Sequence, residues 1–99
     1  MRTQLILATV SVAILAGTAQ AEPLSLPAAA AVCANCHGTD GRIDGPIPAI
    51  AGKPATVIAS RLRDFKADRV SGATVMPRLV KGLTEAEIDQ VARYFADIR

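Results

Sequence analysis

Cys33-Ala34-Asn35-Cys36-His37-Gly38 gathers both cysteines and the single histidine of a 99-residue chain. No other stretch restricts the fold as strongly. Two cysteines separated by two residues can form a redox disulfide, grip a metal ion or carry a covalently attached haem, and each asks for different surroundings. A redox pair needs a βαβ setting that lowers a thiol pKa. A structural zinc needs four protein ligands. This segment supplies three, and with no second histidine a carboxylate would have to be recruited. Haem attachment through Cys-x-x-Cys-His needs only a helical turn. Residues three apart on a helix face the same way with Cβ atoms about 5–6 Å apart. Two thiols so placed can form thioethers with the two vinyl groups along one porphyrin edge, and a histidine directly after the second reaches over the ring face to the iron.

The N-terminus bears on where such chemistry could occur. Arg2 precedes an apolar run over 5–16, and Ala19-Gln20-Ala21 follows. That is the layout of a secretory signal peptide cleaved after Ala21, and the run is too short for a comfortable bilayer span. Residues 1–21 are therefore expected to be a leader and 22–99 one domain, exported to the periplasm and not integral to the membrane once cleaved. Such a domain is small enough for its own core to be marginal. Its aromatic side chains are two phenylalanines and one tyrosine (Phe65, Tyr94 and Phe95). A disulfide closing so short a loop would restrain the unfolded chain little. A large cofactor would supply the missing apolar bulk.

No strand pattern or internal repeat is visible, and the fold class is read as all-α, with about three main helices and long loops. The first helix opens near Pro27, with Ser25 a candidate cap, and stops at Gly38, which puts the motif on its last turn. Residues 39–53 carry Gly, Pro and Asp between single apolar residues and read as a loop. A second helix is expected over 54–66, with Ile58, Leu62 and Phe65 as its buried stripe. Residues 67–82 form a second connector, with a helical turn near Leu79. The last helix is the clearest: Thr84 and Glu87 make a capping box, and Ile88, Val91, Ala92, Phe95 and Ile98 share one apolar face.

His37 being the only histidine, a second imidazole ligand from this chain is excluded. Met76 is the sole methionine beyond the leader. A thioether axial ligand raises a haem potential and suits electron transfer. The irregular segment around Gly72, Met76 and Pro77 is expected to drape over the second haem face, although most methionines only fill core gaps. His37 and Met76 are thus the candidate iron ligands, and Cys33 and Cys36 the candidate thioether anchors of one haem c.

With Cys33-Ala34-Asn35-Cys36-His37-Gly38, the Gly45-Pro46-Ile47-Pro48 loop, the Met76 segment and a capped last helix, residues 22–99 resemble class I c-type cytochromes. The resemblance implies that the first and last helices cross near one haem edge. It implies that a loop proline carbonyl, Pro48 before Pro46, accepts a hydrogen bond from His37 Nδ1, fixing the ring and its basicity. Ile50 and Phe95 would pack on the haem. The stretches IPAIAGKPATVIASRLRDFKADR and ATVMPRLVKGLTEAEIDQVARYFADI are similar to the cytochrome subunit of flavocytochrome c sulfide dehydrogenases. In that family the haem subunit takes electrons from a separate FAD-bearing subunit that oxidises sulfide. The alternative is a free periplasmic shuttle between respiratory or photosynthetic partners. An open-site haem sensor or a peroxidase-like protein would need a vacant sixth position, which Met76 argues against.

Charge fits docking without choosing a partner. Between residues 53 and 81 lie seven bases and two acids, in a chain of net charge +2. Such asymmetry steers an acidic partner; it also describes a solvated helix face that offsets haem propionates. The small net charge and scarce aromatics point away from nucleic acid. No nucleophile, general base or substrate pocket can be named, so the chain is read as an electron carrier and not an enzyme.

Overall fold

The computed structural model describes residue 17 and residues 26–99. Apart from Gly17, the leader expected over 1–21 lies outside the described residues, as does Ser25. Four helices follow in order: α1 (Ala28–His37), α2 (Ala55–Lys66), α3 (Met76–Val80) and α4 (Glu85–Ala96). Among the described residues there is no strand, and no helix is long and apolar enough to cross a membrane.

α4 is the hub, packing against both α1 and α2, while α3 packs against α2. Its start is set by the capping box: the Glu87 N–H donates to Thr84 Oγ1 at 3.2 Å, and the Thr84 N–H donates to Glu87 Oε2 at 2.8 Å. Ile88, Val91, Ala92 and Phe95 then fall on one face and are buried. Ile98 lies beyond the helix end and is only half-buried. α2 meets this face with Ile58, Ala59 and Leu62, Phe65 being half-buried at the margin. Arg63 spans the two helices, donating to Glu85 Oε2 at 2.7 Å and Asp89 Oδ1 at 2.8 Å.

α1 begins at Ala28 with extended Pro27 as its cap residue and no side-chain cap. Its alanines favour helix, and Ala30, with no exposed surface, is small enough to sit in the core beside α4. Gly38 ends it at φ +91°, a region that side chains with a Cβ rarely adopt.

Two expectations change. Met76 is not in an irregular loop: it is the first residue of α3, the helical turn foreseen near Leu79 extended back over it. Val75 already has helical angles and Pro77 sits in the first turn, where its missing N–H is harmless. Pro77 and Val80 are buried, so this short helix is held by packing. The basic stretch over 53–81 is also less free than its sequence implies. Arg63 pairs with Glu85 and Asp89, Arg69 with Asp64, and Lys81 with Asp68. Lys66 donates to the Leu83 carbonyl.

Candidate functional site

The last turn of α1 presents Cys33 half-buried, Cys36 exposed and His37 only 7% exposed. Helical periodicity separates them: Cys36 points outward while His37, one residue on, turns into the protein. The two cysteines are not bonded to each other. Burial pushes the Cys33 thiol up, outweighing a backbone hydrogen bond that acts the other way. That is the reverse of what a redox-active Cys-x-x-Cys pair requires.

His37 Nδ1 lies 2.7 Å from the carbonyl oxygen of Pro48. A carbonyl can only accept, so Nδ1 carries the proton and the Nε2 lone pair is left for another partner. Pro48, and not Pro46, takes this place.

Beside His37 opens a cavity of about 700 Å³, within the size range of ligand pockets. Cys33, His37, Pro48 and Ile50 line it from the α1 side of the sequence, and Ile58, Leu62 and Phe65 from α2. α3 contributes Met76 and α4 contributes Val91. Residues 39 positions apart in the sequence, His37 and Met76, thus share one mainly apolar cavity. Lys53 and Arg61 also border it, the Arg61 guanidinium lying 5.2 Å from the Phe65 ring centre. Cys36 does not line it.

Phe95 and Val91 differ in their relation to this space. Phe95 has no exposed surface but does not border the cavity. Its ring stands edge-on to Tyr94, with centres 5.0 Å apart, and covers Gly41. Val91, one turn earlier on α4, reaches the cavity instead. In the sequence, Val91, Ile58, Leu62 and Phe65 stand out only as members of buried stripes. Those stripes are also the lining, because the faces that would close the core stand around the space.

The donor set decides what fits this space. Among the described residues no three His, Cys, Asp or Glu side chains converge to hold an ion, so a bare zinc site is not assembled. One imidazole and one thioether in a large apolar cavity, with Cys33 at its edge, fit a bulky apolar group that brings its own metal. Two thiols on the same helical turn fit its covalent attachment.

Comparison with known proteins agrees. The family described as "Cytochrome c" matches residues 28–98. The chain is 48% identical over 67 residues to the "Cytochrome subunit of sulfide dehydrogenase" of Chlorobaculum tepidum, covering 67% of this chain and 59% of that protein. It is 36% identical over 67 residues to "Cytochrome c-552" of Acidithiobacillus ferridurans, covering 67% of this chain and 28% of that protein. It is 32% identical over 97 residues to the "Thiosulfate dehydrogenase electron acceptor" of Thiomonas intermedia, covering 95% of this chain and 44% of that protein. The chain thus spans three fifths or less of the length of these relatives. Matched by the family along nearly all of its described length, with the Cys-x-x-Cys-His turn at the mouth of an apolar cavity, the chain belongs to the cytochrome c family.

Proposed function

We propose that residues 22–99 form an exported monohaem cytochrome that carries one electron at a time, with His37 and Met76 as axial ligands and Cys33 and Cys36 as thioether anchors. The family implies one covalently bound haem c, which when bound supplies an Fe(III)/Fe(II) couple. The observation that carries the reading is the shared cavity: a histidine with its tautomer fixed and a methionine thioether border the same apolar space.

Each residue has a separate task. The Pro48 carbonyl orients the His37 ring and raises its basicity as a ligand. The Met76 thioether favours the reduced state and so raises the potential. Ile58, Leu62 and Val91 keep water from the metal. Cys33 and Cys36 keep the cofactor on the chain through both redox states. The roles of these residues are to hold and tune the cofactor, so the chain accepts and donates electrons without transforming a substrate.

The partner reading is narrower. The similarity to a sulfide dehydrogenase cytochrome subunit supports an electron-accepting haem subunit beside a sulfide-oxidising, FAD-bearing flavoprotein, working in the periplasm after removal of the leader. Within the basic stretch, Lys53, Arg61 and Arg78 make neither an ion pair nor a side-chain hydrogen bond among the described residues, and are cations available to such a partner. A free shuttle is the second reading. It is favoured by the match to a thiosulfate dehydrogenase electron acceptor along almost the whole chain.

Two measurements test the proposal. Under denaturing and reducing conditions the haem should stay with the polypeptide, whereas its release into acid-acetone would remove the thioether assignment. The ferric protein at neutral pH should show the weak near-infrared sulfur-to-iron band, and without it Met76 is not the ligand. Purification from the native source separates the partners: flavin in stoichiometric amount marks a subunit, its absence a shuttle.

A further inference from the structure

Pro48 accepts the His37 ring proton, yet it is exposed and has no N–H with which to anchor its own backbone. Among the described residues, the backbone bonds that tie this stretch down lie two to four residues later. The Ile50 and Ala51 N–H groups both donate to the Gly41 carbonyl, at 2.8 and 3.0 Å, and the Gly52 N–H donates to the Phe95 carbonyl at 2.9 Å. Gly41 receives two of these three bonds.

Its backbone is left-handed, at φ +67°, and buried. A Cβ there would stand 2.7 Å from Phe95 Cδ1 and 3.0 Å from Ile50 Cγ1. Phe95 has no exposed surface and little room to retreat. A side chain at 41 would therefore push on α4 or on Ile50, whose own N–H is one of the two donors. Either displacement moves the turn that carries Pro48.

We infer that Gly41 is a positioning residue for the metal ligand: lying under the Phe95 ring, it fixes the 48–52 turn so that the Pro48 carbonyl stays on His37 Nδ1, and through that bond it sets the reduction potential. This rests on the reading of His37 as an axial ligand. A carbonyl on the ring N–H makes the opposite nitrogen a more basic donor, which favours Fe(III). Loosening the bond therefore favours Fe(II) and raises the potential.

Gly41→Ala in the holoprotein should shift the Fe(II)/Fe(III) equilibrium about tenfold toward Fe(II), ~59 mV for a one-electron couple. Solvent exchange of the His37 ring N–H, followed by NMR, should quicken with it. Ala51→Pro deletes one of the two donors to Gly41, at a position just before a glycine at φ +71° where a turn takes proline. It should move both readouts the same way by less, and it decides the matter alone if Gly41→Ala fails to mature. Adding Phe95→Leu to Gly41→Ala should return both readouts toward those of Phe95→Leu alone. The inference is overturned if both variants lower the melting temperature while potential and ring exchange stay at wild-type values. A wild-type ferric spectrum without iron-shifted His37 resonances would instead remove the ligand assignment on which it rests. The two failures are distinct.

Discussion

His37 ends a ten-residue helix and has its ring tied to a loop carbonyl at 2.7 Å. Met76 opens a five-residue helix whose hold on the protein is the packing of Pro77 and Val80. The two sides of the cavity are thus built by different means. On the histidine side, directional bonds through Gly41, Phe95 and Pro48 fix an irregular loop atom by atom. On the methionine side, a short helix rests on α2 with an exposed Lys81–Asp68 pair at its end. Bonds with strict geometry resist small displacements, whereas packing under a single helical turn opens at lower free energy. The methionine side should therefore open first.

The largest effect comes from removing what both sides surround. With three aromatic residues and an open cavity of about 700 Å³ beside His37, the chain without haem should not offset its conformational entropy. The haem-free double variant Cys33→Ala/Cys36→Ala should show no cooperative thermal transition by circular dichroism. A sharp transition would mean that the two sides hold together unaided.

Next is Phe95→Ala, which removes the ring lying on Gly41 in the histidine-side network. It should cost about 3–5 kcal/mol in denaturant titration of the holoprotein. A loss below about 1 kcal/mol would show that the loop stands without α4.

Met76→Ala should cost less stability but alter function more. It should abolish the near-infrared sulfur band, lower the potential and leave a haem that binds carbon monoxide. Met76→His should give a low-potential bis-imidazole haem. If the side chain only fills space, both variants lose stability while spectrum and potential stay put.

Thr84→Ala breaks the capping box of α4 and should cost about 1 kcal/mol. The loss should spread to both sides of the cavity, since α4 packs on α1 and α2 alike. Smallest is Lys81→Ala, at under about 1 kcal/mol because the pair is exposed. It should nevertheless quicken amide exchange in α3 more than in α1. Equal change in both would erase the contrast between the sides.

Much of this was legible beforehand for identifiable reasons. The α4 signals are local: a Thr-x-x-Glu box followed by apolar residues at helical spacing needs no knowledge of the rest of the chain. The Cys33-Cys36-His37 turn is equally local, because its chemistry depends on spacing within one helix. Met76 stands out by its uniqueness, but its setting is not legible from its neighbours. Gly72 and Pro77 read as loop, while burial of Pro77 and Val80 makes a helical turn there. The expectation of Phe95 against the cofactor comes from the resemblance to class I c-type cytochromes, and Phe95 shares its apolar stripe with Val91. Which member of a stripe meets the cavity depends on how α4 crosses its neighbours, and no pattern within α4 encodes that angle.

The sequence by itself determined the all-α class, the capped last helix, the attachment motif and the pair of candidate metal ligands. These follow from residue type and spacing over a few positions, where helical geometry converts sequence distance directly into direction. Tertiary structure decided that Pro48 supplies the carbonyl for His37, that Val91 and not Phe95 lines the cavity, and that salt bridges occupy much of the basic stretch. It alone placed Gly41 beneath Phe95, 54 positions away in the chain. Such pairings depend on where the 38–53 loop and α2 to α4 come to rest together. That is a property of packing and long-range hydrogen bonds, which no short window of residues contains.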